Sequence, residues 1–214
     1  MYPLGIIDKN LKAVKDIIDD TVAVNQRLEN SVKLVAVSKT KPRDVIEQAL
    51  KAGHRLFGEN RVQETQKKWL DLKKIYPDTQ LHLIGPLQTN KAALAVSLFD
   101  VIETIDRFKL AKAVARYIND TDRRPRCFIQ VNTGKEPQKA GDLPEETDEF
   151  INICRTTLNL PVEGLMCIPP TNEEPALHFG FLREIAERNN IKELSMGMSA
   201  DYKTAIQFGA TYVR

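Results

Sequence analysis

Cysteine and histidine are scarce in this chain of 214 residues, and neither sign of charge is in large excess. It has three cysteines, none at the CxxC spacing of a redox or zinc motif, and three histidines that lie far apart. These absences argue against a structural metal site and against a disulfide framework. We therefore expect reduced, buried thiols in a cytoplasmic protein that holds no metal.

Neither a charge excess nor a long apolar run points to a nucleic acid or a membrane as a partner. The 31 Lys and Arg residues are interspersed with 29 Asp and Glu residues, so no basic surface for nucleic acid is predicted. No apolar run approaches the roughly 18 residues of a membrane span. The opening stretch, MYPLGIIDKN, also lacks the order of a signal peptide.

Short apolar runs do alternate with amphipathic stretches along most of the chain. The run KLVAV, residues 33–37, predicts a first strand, and seven more runs follow at regular spacing, the last beginning at TYVR. Eight strands separated by helices, without a linker, predict a single α/β domain over residues 1–214. The count favours a (β/α)₈ TIM barrel, with a doubly wound open sheet as the alternative.

An extra helix is predicted before the barrel. Apolar residues recur at three- and four-residue steps from Leu4 to Ile18, which predicts a helix over about residues 4–29, with the barrel starting at about residue 33. The sequence reaches Arg214 without an eighth barrel helix. We expect the N-terminal helix to cover that part of the barrel.

Polar residues stand at the predicted strand ends, where barrel enzymes place their chemistry. Lys39 follows the first strand and Asn60 the second, while Ser199 follows the seventh and Arg214 lies in the eighth. A lysine at a strand end is usually solvated. Held in a pocket, however, its amine can act as a nucleophile toward an aldehyde.

Ser199 follows Gly197 and opens a predicted helix, SADYKTAIQFG. Such a position suits a phosphate group, and a plain N-cap role is an equally good interpretation. An amine opposite a phosphate site indicates a phosphorylated aldehyde, either in a Schiff-base aldolase or in a pyridoxal 5′-phosphate (PLP) protein. Arg214 favours PLP, whose pyridine nitrogen commonly meets Asp or Arg. An aldolase would need a deep acid–base carboxylate, for which Glu103 is the candidate.

Five blocks of the sequence resemble a known family: AVSKTKP, GENRVQE, LHLIGPLQTNK, GLMCIPP and LSMGMSADYKTAIQFGATYVR. Together they run from about Leu34 to Arg214 and resemble the PLP homeostasis proteins, the YggS/PROSC family. The resemblance implies a fold like the N-terminal barrel of alanine racemase. It therefore favours the closed barrel over the open sheet.

The resemblance also implies a role for each residue at the strand ends. It implies that Lys39 holds PLP covalently as a Schiff base and that Asn60 lies beside the cofactor. It further implies that Ser199 holds the phosphate and that Arg214 faces the pyridine nitrogen.

Three more positions match the family, and one feature departs from it. His82 and Met166 match positions that line the pocket, and Lys139 matches a lysine near the pocket entrance. Family members continue past the arginine with a Gly-Ser/Thr pair that shares the phosphate, whereas this sequence ends at Arg214. Either the sequence given is a piece of a longer chain or the protein is truncated; if the pair is truly absent, we expect weaker phosphate binding.

A carrier function is favoured over catalysis. An arginine keeps the pyridine nitrogen unprotonated, which weakens the electron sink that PLP enzymes use. A racemase also needs a second base, which alanine racemase takes from a separate domain. Tyr202 is expected at the pocket rim and Tyr212 within strand eight. We therefore expect a monomeric, non-catalytic PLP carrier or regulator that exchanges PLP with apo PLP-dependent enzymes; a low-activity amino-acid racemase is the alternative.

Overall fold

The structure, a computed structural model, describes residues 5–214 as parallel strands that alternate with helices. The strands are β1 Lys33–Leu34, β2 Ala36–Val37, β3 Leu56–Glu59, β4 Gln80–Leu83, β5 Val101–Ile105, β6 Arg126–Gln130, β7 Val162–Met166, β8 Glu193–Ser195 and β9 Tyr212–Val213. The helices are α1 Ile6–Val24, α2 Arg43–Lys51, α3 Val62–Ile75, α4 Ala92–Leu98, α5 Phe108–Asn119, α6 Thr147–Asn152, α7 Pro175–Arg188 and α8 Tyr202–Gln207. A 3₁₀ turn, Thr89–Lys91, precedes α4, and a π-helical turn, Ile153–Thr157, follows α6.

The sheet closes on itself at its first strand. β1 and β2 are two halves of one strand, interrupted only at Val35. β1 pairs in parallel with β9, so that Lys33 lies opposite Tyr212, and β2 pairs with β3 on the other side. The strand order β1-β9-β8-β7-β6-β5-β4-β3-β2 therefore forms a nearly closed parallel barrel. The predicted TIM barrel is confirmed, and the open sheet is excluded.

Apolar and polar side chains both fill the barrel interior. The Tyr212 ring lies 5.2 Å from the His82 ring and 5.8 Å from the Phe128 ring, measured between centroids. These residues belong to β9, β4 and β6, which are not neighbours, so the contacts cross the barrel. Outside the strands, the helices cover the barrel with a continuous apolar layer that includes the fully buried Trp69. Because side chains fill the interior of the barrel, we expect a ligand-binding site at one of its two ends.

The N-terminal helix is shorter than the sequence predicted. α1 begins at Ile6 and ends at Val24 rather than near residue 29, and Leu4 lies outside the described residues. The helix stops because Gln26 takes a left-handed φ of 54°, and the Asn25 side chain caps the last turn by donating to the Thr21 carbonyl at 2.8 Å. α1 packs against α2 and α8, on either side of the strand where the barrel closes.

No helix within residues 5–214 is both long enough and apolar enough to cross a membrane.

Candidate functional site

A cavity of about 850 Å³ opens at the carboxyl ends of the barrel strands. Four of the six predicted cofactor-binding residues line it. They are Lys39 after β2, Asn60 after β3, Ser199 in the loop between β8 and α8, and Arg214 directly after β9. The topology therefore brings together residues that lie up to 175 positions apart (214 − 39) in the sequence.

Lys39 stands where the first strand leaves the barrel. Ser38 still donates its N–H to the Gly58 carbonyl at 3.0 Å, so strand pairing continues up to the residue before the lysine. The Lys39 side chain is exposed, and its amine makes no hydrogen bond or ion pair with any part of the chain that the structure describes. The amine is thus available to a ligand in the cavity.

Asn60 supplies an acceptor that has no partner. Its Oδ1 atom is buried and accepts no hydrogen bond from residues 5–214. Gly85 permits this placement, because a Cβ atom at Gly85 would lie 2.5 Å from the Asn60 carbonyl oxygen. A buried acceptor without a donor costs free energy unless a ligand or water supplies one. Asn60 therefore fits a cavity that holds a polar ligand.

The side chain of Arg214, the residue directly after β9, is buried and hydrogen-bonded to residues of the barrel. Its side chain is 4% exposed. One guanidinium nitrogen donates to the Ser195 hydroxyl at 2.6 Å and lies 3.5 Å from Glu103 Oε2, and another donates to the Cys167 carbonyl at 3.1 Å. The guanidinium is therefore oriented by the protein before any ligand arrives.

Glu103 is the charged centre behind Arg214. Its Oε1 atom is hydrogen-bonded to His82 Nδ1, and its Oε2 atom accepts from the Ser195 hydroxyl at 2.6 Å. Burial raises the pKa of the Glu103 carboxyl, but its neighbours outweigh burial and lower the pKa overall. These neighbours are His82, through its hydrogen bond and its charge, Arg214, through its charge, and Ser195, through its hydrogen bond. Glu103 is thus an ionised partner inside the barrel, engaged in bonds to its neighbours.

His82 and Met166 were also predicted to line the pocket, and their contact with a cofactor stays a prediction. Both are fully buried, and neither belongs to the cavity wall. His82 points instead to Glu103 and packs against the Tyr212 ring, leaving its Nε2 atom without a partner within residues 5–214.

The loop that carries Ser199 is longer than predicted. α8 begins at Tyr202, so Ser199 does not open the helix and is an exposed loop residue on the cavity wall. Gly197 needs its lack of a side chain, since it has a φ of 91° and a Cβ atom there would lie 2.5 Å from Ala205 Cβ. Tyr202 lines the cavity and Tyr212 is buried in β9, as predicted.

Lys139 lies beside the cavity and not in its wall. Its ammonium pairs with Glu136 at 2.5 Å and donates to the Pro169 carbonyl at 3.4 Å. Pro169 is adjacent to Ile168, which does line the cavity. The Lys139 side chain is 31% exposed, so an entrance role stays a prediction.

The described residues offer neither a reactive thiol nor a cluster of metal ligands. The three cysteines are buried and unpaired, and burial raises the pKa of Cys167 to about 12. Such a thiol is not a nucleophile at neutral pH. In the described part of the chain, no three His, Cys, Asp or Glu side chains group to hold a metal ion.

A polar network around the exit of the first strand was not predicted from the sequence. Glu59 is fully buried and accepts from the Ser38 hydroxyl at 2.7 Å and from Trp69 Nε1 at 3.0 Å. Lys68 joins the network by pairing with Glu59 at 2.8 Å and with Glu64 at 2.9 Å. The available signal was the spacing of Glu64 and Lys68, which puts both on one face of α3.

The loop after β6 contains a carboxyl with a raised pKa. Burial raises the pKa of Asp142 to about 6; the Thr147 hydroxyl opposes this, and the nearby acidic residues add to it. Its Oδ2 atom is buried without a partner among the described residues. Because the folded state binds this proton more tightly, stability should fall as the pH rises from the ordinary value of 3.8 toward 6.

Asp142→Asn is therefore expected to stabilise the protein at pH 8 by on the order of 1 kcal/mol, allowing for solvent screening at a half-buried site. Urea unfolding at pH 4.5, 6 and 8 measures this effect. The gain should shrink at pH 4.5, where wild-type Asp142 is largely protonated in the folded state. The exposed Asp122→Asn serves as a matched control. An equal gain at all three pH values would contradict the assignment to this proton.

Comparison with known proteins places the chain in a family. Residues 13–214 match the family described as alanine racemase, N-terminal domain. The pyridoxal phosphate homeostasis protein of Vibrio alginolyticus is 40% identical over 204 residues, which cover 88% of this chain and 85% of that protein. The chain belongs to the pyridoxal phosphate homeostasis proteins. The family membership indicated by its sequence blocks is thereby confirmed.

Other members of the family match over nearly the whole chain. The pyridoxal phosphate homeostasis protein of Escherichia coli K12 is 35% identical, with 97% of this chain and 93% of that protein covered. PipY of Synechococcus elongatus has been solved without PLP, with a TM-score of 0.81, and with PLP bound, with a TM-score of 0.78. Both PipY structures are 36% identical to this chain and cover 92% of it and 96% of their own chains.

More distant similarity concerns the fold alone. An alanine racemase of Clostridium difficile superposes with a TM-score of 0.70 at 13% identity, covering 93% of this chain and 54% of the racemase. This chain thus shares the barrel fold of alanine racemase, as the sequence resemblance implied.

Proposed function

We propose that this chain binds PLP in the cavity at the strand ends, holds it covalently through Lys39, and acts in PLP homeostasis as a carrier without catalytic turnover. The observation that carries the proposal is the meeting of Lys39, Asn60, Ser199 and Arg214 in one cavity. The buried Asn60 Oδ1 atom, which has no partner within residues 5–214, fits a polar ligand there. Support also comes from PipY, 36% identical, which has been solved with PLP bound.

Each residue has a distinct part in the proposal. PLP supplies an aldehyde, whose carbon forms the new C–N bond with Lys39 Nζ while one water molecule leaves. The exposed Ser199 hydroxyl is available to the phosphate, and Asn60 Oδ1 to a donor on the ligand. The Arg214 guanidinium, already oriented by Ser195 and the Cys167 carbonyl, donates toward the pyridine nitrogen.

An arginine at the pyridine nitrogen argues against PLP chemistry that needs a protonated ring, although racemases tolerate this arrangement. A guanidinium stays protonated at all physiological pH values, so a pyridine nitrogen that accepts from it stays unprotonated. A carbanion next to such a ring is only weakly stabilised. Tyr202 is the one tyrosine on the cavity wall in the described part of the chain. It is the residue that a weak racemase would need as a second base, and it makes racemisation the second candidate function.

Titration with PLP followed by visible absorption tests the binding. We expect a new absorption band at one PLP per chain, with weaker binding of pyridoxal, which lacks the phosphate. A protein that ignores added PLP would contradict the proposal. Elution of the PLP-bound protein as a monomer, and its activation of the apo form of a PLP-dependent enzyme, test the carrier role.

Amino-acid chemistry separates the two candidates. The PLP-bound protein is incubated with single L-amino acids in deuterated water, beside Lys39→Ala and free PLP. A carrier should exchange the α-proton no faster than free PLP does. Rapid exchange that requires Lys39 and is lost in Tyr202→Phe would establish the racemase instead.

A further inference from the structure

The two peptide groups that flank Lys39 are both hydrogen-bonded by side chains of α3. Lys68 Nζ donates to the Ser38 carbonyl at 2.9 Å, on the N-terminal side of Lys39. On the other side, the Thr40 N–H donates to Glu64 Oε1 at 2.7 Å. Lys68 and Glu64 also bond to each other at 2.9 Å. The main chain of Lys39 is therefore fixed at both ends by a single helix.

The turn after Lys39 needs such support. Thr40 has a φ of 60°, in the left-handed region, although it is neither glycine nor asparagine. A β-branched residue avoids this conformation unless surrounding contacts impose it. Here the contact is the bond from its own N–H to Glu64, helped by the Lys41 N–H, which donates to the Ser38 carbonyl at 3.1 Å. The turn that directs the Lys39 side chain thus depends on α3.

Buried charge holds the two α3 side chains in place. The Lys68 side chain is 13% exposed and lies between the carboxylates of Glu64 and the fully buried Glu59. The hydrogen bond from Lys68 is the largest cause that keeps the pKa of Glu64 below its ordinary value. Burial opposes it, and the hydrogen bond from the Thr40 N–H adds to the lowering. Glu64 is therefore ionised at neutral pH, and the bonds that it accepts are charge-assisted.

Neither α3 residue belongs to the cavity wall, so neither can contact a ligand there directly. We infer that Glu64 and Lys68 are positioning residues that hold Lys39 where its amine meets an aldehyde in the cavity. This inference rests on the proposed function, because it concerns the same bond between Lys39 and PLP. Glu64 and Lys68, which we call the α3 clamp, would then set how efficiently the bond between Lys39 and PLP forms, although both lie outside the cavity wall.

Two ligands distinguish positioning of the amine from general support of the cavity. PLP has the aldehyde that reacts with Lys39, whereas pyridoxine 5′-phosphate has an alcohol and can bind only noncovalently. Lys68→Met is expected to weaken PLP binding or slow its covalent capture about tenfold, since small displacements of a reacting group have effects of this size. Binding of pyridoxine 5′-phosphate should stay unchanged. Lys67→Met, at the exposed neighbouring lysine, should behave like the wild type toward both ligands.

Substitutions at Glu64 test the second half of the clamp. Glu64→Gln keeps an oxygen acceptor for the Thr40 N–H and should retain most of the PLP binding, whereas Glu64→Ala should lose it about as much as Lys68→Met does. Thermal unfolding identifies any variant that fails to fold. Since Glu64 is 29% exposed, Glu64→Ala keeps the test usable if Lys68→Met unfolds.

The outcomes separate this inference from the proposed function. If the wild type shows no PLP band, the proposed function fails. If the wild type binds PLP through Lys39 and both α3 variants match it, only the positioning role is wrong. Equal losses for PLP and pyridoxine 5′-phosphate would also overturn it, because they would mean that the cavity as a whole had changed.

Discussion

Lys39→Ala is expected to abolish the visible absorption band of the PLP-bound protein and to leave only weak, noncovalent binding. The reason is that Lys39 supplies the sole bond-forming atom in the proposed complex, while Ser199 and Arg214 supply polar contacts. Loss of the covalent bond should lower the apparent affinity by at least about 100-fold. Absorption spectroscopy and equilibrium dialysis with PLP measure the two effects.

Lys41 provides the sharpest control for this prediction. It lies two residues away and lines the same cavity. Lys41→Ala should keep the absorption band, although its affinity can change through altered charge. If the band survived in Lys39→Ala and disappeared in Lys41→Ala, the attachment site would be Lys41.

Glu103→Leu is expected to cost about 3–5 kcal/mol of stability, because it leaves buried charge and buried hydrogen-bonding groups without their partner. The variant removes the carboxylate that His82, Ser195 and Arg214 share. The Arg214 side chain, 4% exposed, would then lack a counter-charge. Urea unfolding, with its midpoint and slope, measures the loss.

Glu163→Leu serves as the matched control, because Glu163 lies on β7 with 47% of its side chain exposed and 3.8 Å from Arg126. The effect of Glu163→Leu on the free energy of unfolding should stay within about 1 kcal/mol.

The dependence of stability on pH provides a second test of the Glu103 assignment. The pKa of Glu103 is lowered in the folded state, so its contribution is complete above its ordinary value of 4.5 and is lost as the pH falls through the folded value. The wild type should lose stability in that range more steeply than Glu103→Leu, and parallel profiles would contradict the account.

Much of the architecture could be read from the sequence. Eight apolar runs at regular spacing predict the barrel because each parallel strand must be followed by a helix that returns the chain. The same rule places Lys39, Asn60 and Arg214 at one end of the barrel, whatever the details of the loops. The family blocks then narrowed the chemistry from phosphorylated aldehydes in general to PLP.

The remaining features depend on tertiary contacts that local patterns do not contain. α1 ends at Val24, two residues before the left-handed Gln26. α8 begins three residues after Ser199, and Asp201 in the preceding loop accepts from the Met198 N–H at 2.6 Å. The hydrogen bond between His82 and Glu103 joins residues of two different strands, so the sequence did not predict it. The α3 clamp joins residues that lie 24 to 30 positions apart, so its two ends could not be paired from the sequence.

Identification of the modified residue tests the central claim most directly. The protein is incubated with PLP, reduced with borohydride to fix the bond, digested and analysed by mass spectrometry. We predict one pyridoxyl phosphate group per chain, located on Lys39. An adduct on Lys41, on Lys139 or on scattered surface lysines, or no adduct at all, would contradict the account.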